Sequence, residues 1–137
     1  LELEITESTA MKDIDFTIQV LNYLKEMGIK ISLDDFGTGY SSLNYLKCLP
    51  INNLKIDRSF VKDITTKSNE AAIAKSVIEF AHKMGLSVAA EGVETKEQLE
   101  FLKEHKCDIV QGYYFSKPLP SKEVEELIIK KDAFINF

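Results

Sequence analysis

One unit recurs along this chain, and it constrains the fold more than any other feature. "VLNYLKEMGIKISLDDFG" (Val20–Gly37) and "VIEFAHKMGLSVAAEGVE" (Val77–Glu94) share one plan: amphipathic helix, glycine breaker, short apolar strand, acid. Gly28 lies six residues before Asp34, and Gly85 lies six before Glu91. "LKEHKCDIVQGYY" (Leu102–Tyr114) follows the same plan and ends on Gln111-Gly112. In the middle copy Ile73, Val77, Phe80, Ala81 and Met84 form one helical stripe. Gly28 and Gly85 suit the left-handed position just past a helix end. Strands alternating with helices predict an α/β fold with a parallel sheet covered on its faces. The expected strands are Leu1–Ile5, Lys30–Asp34, Asn53–Ile56, Ser87–Ala90 and Ile109–Gln111, with helices over about 12–28, 41–48, 69–84, 95–105 and 121–131.

No linker or low-complexity segment divides the 137 residues, which amount to one domain. A hydrophobic fraction of 45% is enough for a real core. The formal net charge of −5 argues against a nucleic-acid polymer as partner, since that needs a basic face. An anionic ligand would need cations from elsewhere, such as metal ions. No apolar run is long enough to cross a bilayer, and no signal peptide is visible. Cys48 and Cys107 have no metal-ligand spacing, so the expected location is cytoplasmic, as a free protein or as the cytoplasmic part of a larger signalling protein.

Parallel sheets carry their chemistry at the carboxyl ends of the strands. That rule sorts the polar residues. Glu4 and Glu7 end the first strand, and Asp34-Asp35 the second. Lys55 sits in the third, with Asp57 and Arg58 beyond it. Glu91 and then Glu94 end the fourth, and Gln111 ends the fifth. Carboxylates gathered on one rim repel, and burying them unpaired is costly. Magnesium, manganese or calcium would relieve that repulsion through oxygen ligation. Each piece alone has a structural reading. Asp34-Asp35 could form an Asx turn, Glu4 could point outward, Lys55 could make an ion pair, and Glu91 could start a helix. His82 and His105 stand near helix ends, where a dipole interaction suffices. No Ser has a His/Asp context for acyl transfer.

"LELEITES", "DDFGTGYSSLNYL", "LKIDRSFV", "AEGVET" and "QGYYFSKPLP", in this order, resemble the EAL-domain family of bacterial cyclic di-GMP phosphodiesterases. The resemblance runs from Leu1 to about Leu127. It implies a TIM-type (β/α) barrel, two Mg2+ or Mn2+ ions, and hydrolysis of cyclic di-GMP to linear pGpG. It implies that Glu4, Asp34 and Asp35 are metal ligands, that Lys55 and Glu91 are catalytic, and that Gln111 orients substrate or water. It also implies that Glu7 braces the loop over about 36–42, which the family links to dimerisation and substrate control. The Glu-Ala-Leu motif itself and an upstream asparagine ligand are absent from this chain. A barrel has eight strands and five are visible, so the expectation is the C-terminal portion of one EAL domain, a partial barrel. Such a piece should be inactive alone. It should also leave Val88, Ala89 and Ile109 in need of cover, which predicts a homo-oligomer. Two alternatives stand beside this reading. One is a degenerate EAL module that binds cyclic di-GMP or a partner protein without catalysis. The other is a phospho-receiver, which the order of the acidic pair and the lysine along the strands disfavours.

Overall fold

The computed structural model describes residues 1–37 and 43–130. Five parallel strands form one sheet in chain order: β1 Glu2–Thr6, β2 Lys30–Phe36, β3 Asn53–Ile56, β4 Ser87–Ala90 and β5 Ile109–Val110. The helices are α1 Glu7–Ala10, α2 Ile14–Glu26, α3 Leu43–Leu46, α4 Arg58–Lys62, α5 Ser68–Lys83, α6 Lys96–Glu104 and α7 Ser121–Lys130. This is a partial TIM-type barrel, as expected.

Two repeats end their helices in the same way. At the end of α2, Gly28 N–H donates to the Lys25 carbonyl and Ile29 N–H to that of Leu24. At the end of α5, Gly85 donates to His82 and Leu86 to Ala81. This paired closure needs a left-handed residue between helix and strand, and both glycines have positive φ, 78° and 73°. The chain then turns straight into β2 or β4, which places Asp34 and Glu91 at equivalent strand ends.

The core lies between the sheet's outer face and the helices. Leu33, Leu54, Ile56, Val88 and Ala90 are sealed there with Leu21, Ile78, Leu99 and Leu102. Val88 and Ala89 are therefore covered already, contrary to expectation. Val88 belongs to the face packed by helices, and Ala89 is paired between Lys55 of β3 and Ile109 of β5. Ile109 is 48% exposed and does remain open. Two one-turn helices escaped the sequence reading, α1 and α4. Each follows a strand end and is started by a side-chain cap. Thr6 Oγ1 accepts from Thr9 N–H, and Asp57 Oδ1 accepts from Ser59 N–H at 2.9 Å. Residues 38–42, most of the loop expected over 36–42, lie outside the described residues. Among the described residues no helix is long and apolar enough to cross a membrane.

A candidate active site at the strand ends

Lys55 is the centre of the site. Every residue of β3 is buried, and Lys55 itself is 6% exposed. A buried ammonium needs anionic partners. Among the described residues Lys55 Nζ has three: Glu91 Oε1 at 2.5 Å, Glu4 Oε1 at 2.7 Å and Asp34 Oδ1 at 3.4 Å. The partners come from β1, β2 and the turn after β4, so neighbouring strands supply them. Burial alone would push the Lys55 ammonium down. Hydrogen bonds to Glu4 and Glu91 and the charges of Glu91 and Asp34 outweigh burial, and Lys55 is held above the usual lysine value. Gln111 lies one residue beyond β5. Its Nε2 donates to Glu91 Oε1 at 2.8 Å, so that oxygen serves Lys55 and Gln111 together.

The adjacent acids are explained by a bulge. Leu33 pairs with Leu54 and Phe36 with Ile56, so β2 carries one residue more than β3 across this stretch. Asp34 and Asp35 fill the irregularity, and Asp35 takes a left-handed φ of 57°. Strict alternation would send adjacent side chains to opposite faces, and the bulge breaks that alternation just where the acids stand. Asp34 Oδ1 also accepts from the Asp35 N–H at 3.0 Å. Glu7 is 2% exposed, and its Oε2 accepts from Gly37 N–H at 2.9 Å. It ties the end of β1 to the turn after β2.

A second polar layer lies towards the strand starts. Glu2 Oε1 accepts from Ser32 Oγ, and Asn53 Nδ2 donates to Ser32 Oγ at 3.1 Å. These residues precede Glu4, Asp34 and Lys55 by two positions each, so they share their face of the sheet. Asn53 Oδ1 is buried and has no hydrogen-bond partner among the described residues. Beside Glu91 and Gln111 opens a pocket of about 350 Å³, also lined by Arg58, Glu94, Tyr113 and Lys117.

The donors suit hard divalent cations. The acids gathered here offer only carboxylate oxygen, and their negative charge exceeds what Lys55 supplies. Among the described residues, the acids are not grouped into a ready cage of three. Glu4, Asp34 and Glu91 close on the ammonium instead.

A family model described as "EAL domain" matches residues 1–118. The chain belongs to the EAL domain family. It is 53% identical over 128 residues to the cyclic di-GMP phosphodiesterase NbdA of Pseudomonas aeruginosa, an alignment covering 93% of this chain and 16% of NbdA. A solved structure of the phosphodiesterase MucR in complex with cyclic di-GMP superposes with a TM-score of 0.87 at 47% identity, over 90% of this chain and 50% of that one. BlrP1 of Klebsiella pneumoniae, solved with manganese and cyclic di-GMP, gives a TM-score of 0.79 at 36% identity, over 85% of this chain and 30% of that one. The chain therefore spans about a sixth of NbdA and half of the solved MucR chain.

Of the residues singled out in this EAL sequence, Glu4, Asp34, Lys55, Glu91 and Gln111 form one connected network. Asp35 stands beside it at the bulge, and Glu7 supports the neighbouring turn. Asp57 serves as a helix cap instead. Sequence reasoning passed over Gln98 and the Glu2–Ser32–Asn53 layer. The Thr95-x-x-Gln98 spacing of a capping box was the available signal for Gln98. The Glu2–Ser32–Asn53 layer has no local signal, because its members lie on three strands.

Proposed function

We propose that residues 1–137 supply the C-terminal portion of a cyclic di-GMP phosphodiesterase domain that yields linear pGpG with two Mg2+ or Mn2+ ions. The observation that carries this reading is the convergence of Glu4, Asp34 and Glu91 on the buried Lys55 Nζ at the carboxyl ends of parallel strands. The names and contents of the relatives' structures support it.

Glu4, Asp34 and Asp35 would hold the ions. Bound divalent ions would supply charge for both the attacking and the leaving oxygen, and acidify a water. With acids committed to metal, the Lys55 ammonium becomes available to a phosphate oxygen or to the attacking water. Glu91 Oε1 is engaged by both Lys55 and Gln111, which leaves the other carboxylate oxygen of Glu91 to take or hold a proton. Gln111 fixes which way that carboxylate faces. Glu7 keeps the turn at Gly37 against the end of β1, which steadies Asp34 and Asp35.

The test is hydrolysis of cyclic di-GMP by the complete protein carrying this chain, followed chromatographically with Mg2+ or Mn2+ present. Asp34→Asn should lower turnover by at least about 100-fold. Binding without turnover in the unaltered protein would make this a receptor module. Unchanged turnover in Asp34→Asn would remove the metal role assigned to Asp34.

A further inference from the structure

Gln98 is a polar side chain only 5% exposed, and it lies outside the charged network. Its Oε1 accepts from two backbone donors, Glu94 N–H at 2.7 Å and Thr95 N–H at 3.0 Å. A helix cap explains the Thr95 bond. It does not explain the other end of the amide. Nε2 donates to the Lys62 carbonyl at 3.2 Å, the last residue of α4. The element leading into α4 is β3, which carries Lys55. One buried amide therefore joins the turn after β4, which carries Glu91, to the helix that follows Lys55.

The turn it holds is itself bonded to the segment that follows β5. Val93 N–H donates to the Gln111 carbonyl at 3.1 Å, and Tyr114 N–H donates to the Val93 carbonyl at 2.9 Å. At Gly112 the backbones pass so closely that a Cβ would stand 2.1 Å from the Val93 carbonyl oxygen. A shift of Val93–Glu94 must therefore move Gln111 as well as Glu91. Arg58 Nη2 reaches Glu94 Oε1 at 2.6 Å across the same turn, but both groups are well exposed, and such pairs hold little by themselves.

We propose that Gln98 is a positioning residue: it sets the Glu91–Gln111 side of the site relative to Lys55 by fastening the turn after β4 to the end of α4. This rests on the phosphodiesterase reading only for its catalytic consequence. Two variants separate positioning from simple capping. Gln98→Glu keeps an acceptor for Glu94 and Thr95 but loses the donor to Lys62. Gln98→Met is similar in length and loses both.

In the complete protein, amide hydrogen exchange at Val93 and Gln111 should quicken by about ten-fold in both variants, with β1 and β2 unchanged. In the complete protein, kcat per folded molecule should fall about ten-fold in both, with KM for cyclic di-GMP within about two-fold. Normal exchange and kcat in Gln98→Glu, which keeps the cap and loses the bond to Lys62, would overturn the proposal. Unaltered exchange at Val93 and Gln111 in Gln98→Met overturns the proposal whatever the activity. If the unaltered protein turns over no cyclic di-GMP, the functional reading falls, and the exchange data still decide the role of Gln98.

Discussion

Around Lys55 three carboxylates face one ammonium, so removing the lysine leaves like charges in close contact. Lys55→Ala in the complete protein should lower kcat by about 100-fold or more and change KM far less, as for a group acting in the transition state. Loss of affinity with kcat intact would make Lys55 a phosphate clamp. A second residue couples the core to pH. Cys107 is 3% exposed, and burial pushes its thiol up to about 12. The unfolded thiol ionises near its ordinary value of about 8.5, so between these values the folded chain keeps a proton that the unfolded chain has lost. This contribution to stability is complete below about pH 8.5 and falls as pH rises. By pH 10 the loss is about 2 kcal/mol. Denaturant midpoints measured from pH 8 to 10 should decline in the native sequence and decline less in Cys107→Ala. Equal slopes would show that the thiol is not protected by burial.

Among the elements, the third repeat departs from the other two in one informative way. After α6, Lys106 N–H donates to the Lys103 carbonyl and Cys107 N–H to that of Leu102, the same closure seen at Gly28 and Gly85. The left-handed position is held by Lys106, at φ 62°. A side chain costs about 1 kcal/mol or more there, and glycine returns part of that as extra freedom in the unfolded chain. Lys106→Gly should therefore stabilise the chain by roughly 0.5–1 kcal/mol, read as a raised denaturation midpoint with an unchanged slope. A lower midpoint would mean that the lysine's own contacts outweigh the backbone strain. The same closure explains why the main helices and strands were legible. Periodicity and breakers mark them locally, whereas α1 and α4 span one turn each and show no period.

At the scale of the whole fold, β1 and β5 are the two edges of the sheet among the described residues. Leu1, Leu3 and Ile109 are exposed along those edges, and Phe16, Val20 and Tyr23 of α2 form an exposed stripe with Met27 at its C-cap. We expect the isolated 137-residue chain to self-associate and to lack phosphodiesterase activity. Light scattering and a hydrolysis assay on the same sample would check both, and an active monomer would contradict both. The alternation of helix and strand, the parallel sheet, and the placing of Glu4, Asp34, Lys55, Glu91 and Gln111 at strand ends were all legible in the residues, because repeat spacing and turn chemistry are local. Folding was needed to show that Glu91 and Glu4 share the Lys55 ammonium, and that a bulge against β3 accommodates Asp34-Asp35. It alone brought Gln98 across to Lys62. These are contacts between segments distant in the chain, and their geometry depends on strand register and on how the helices pack, which no local pattern encodes.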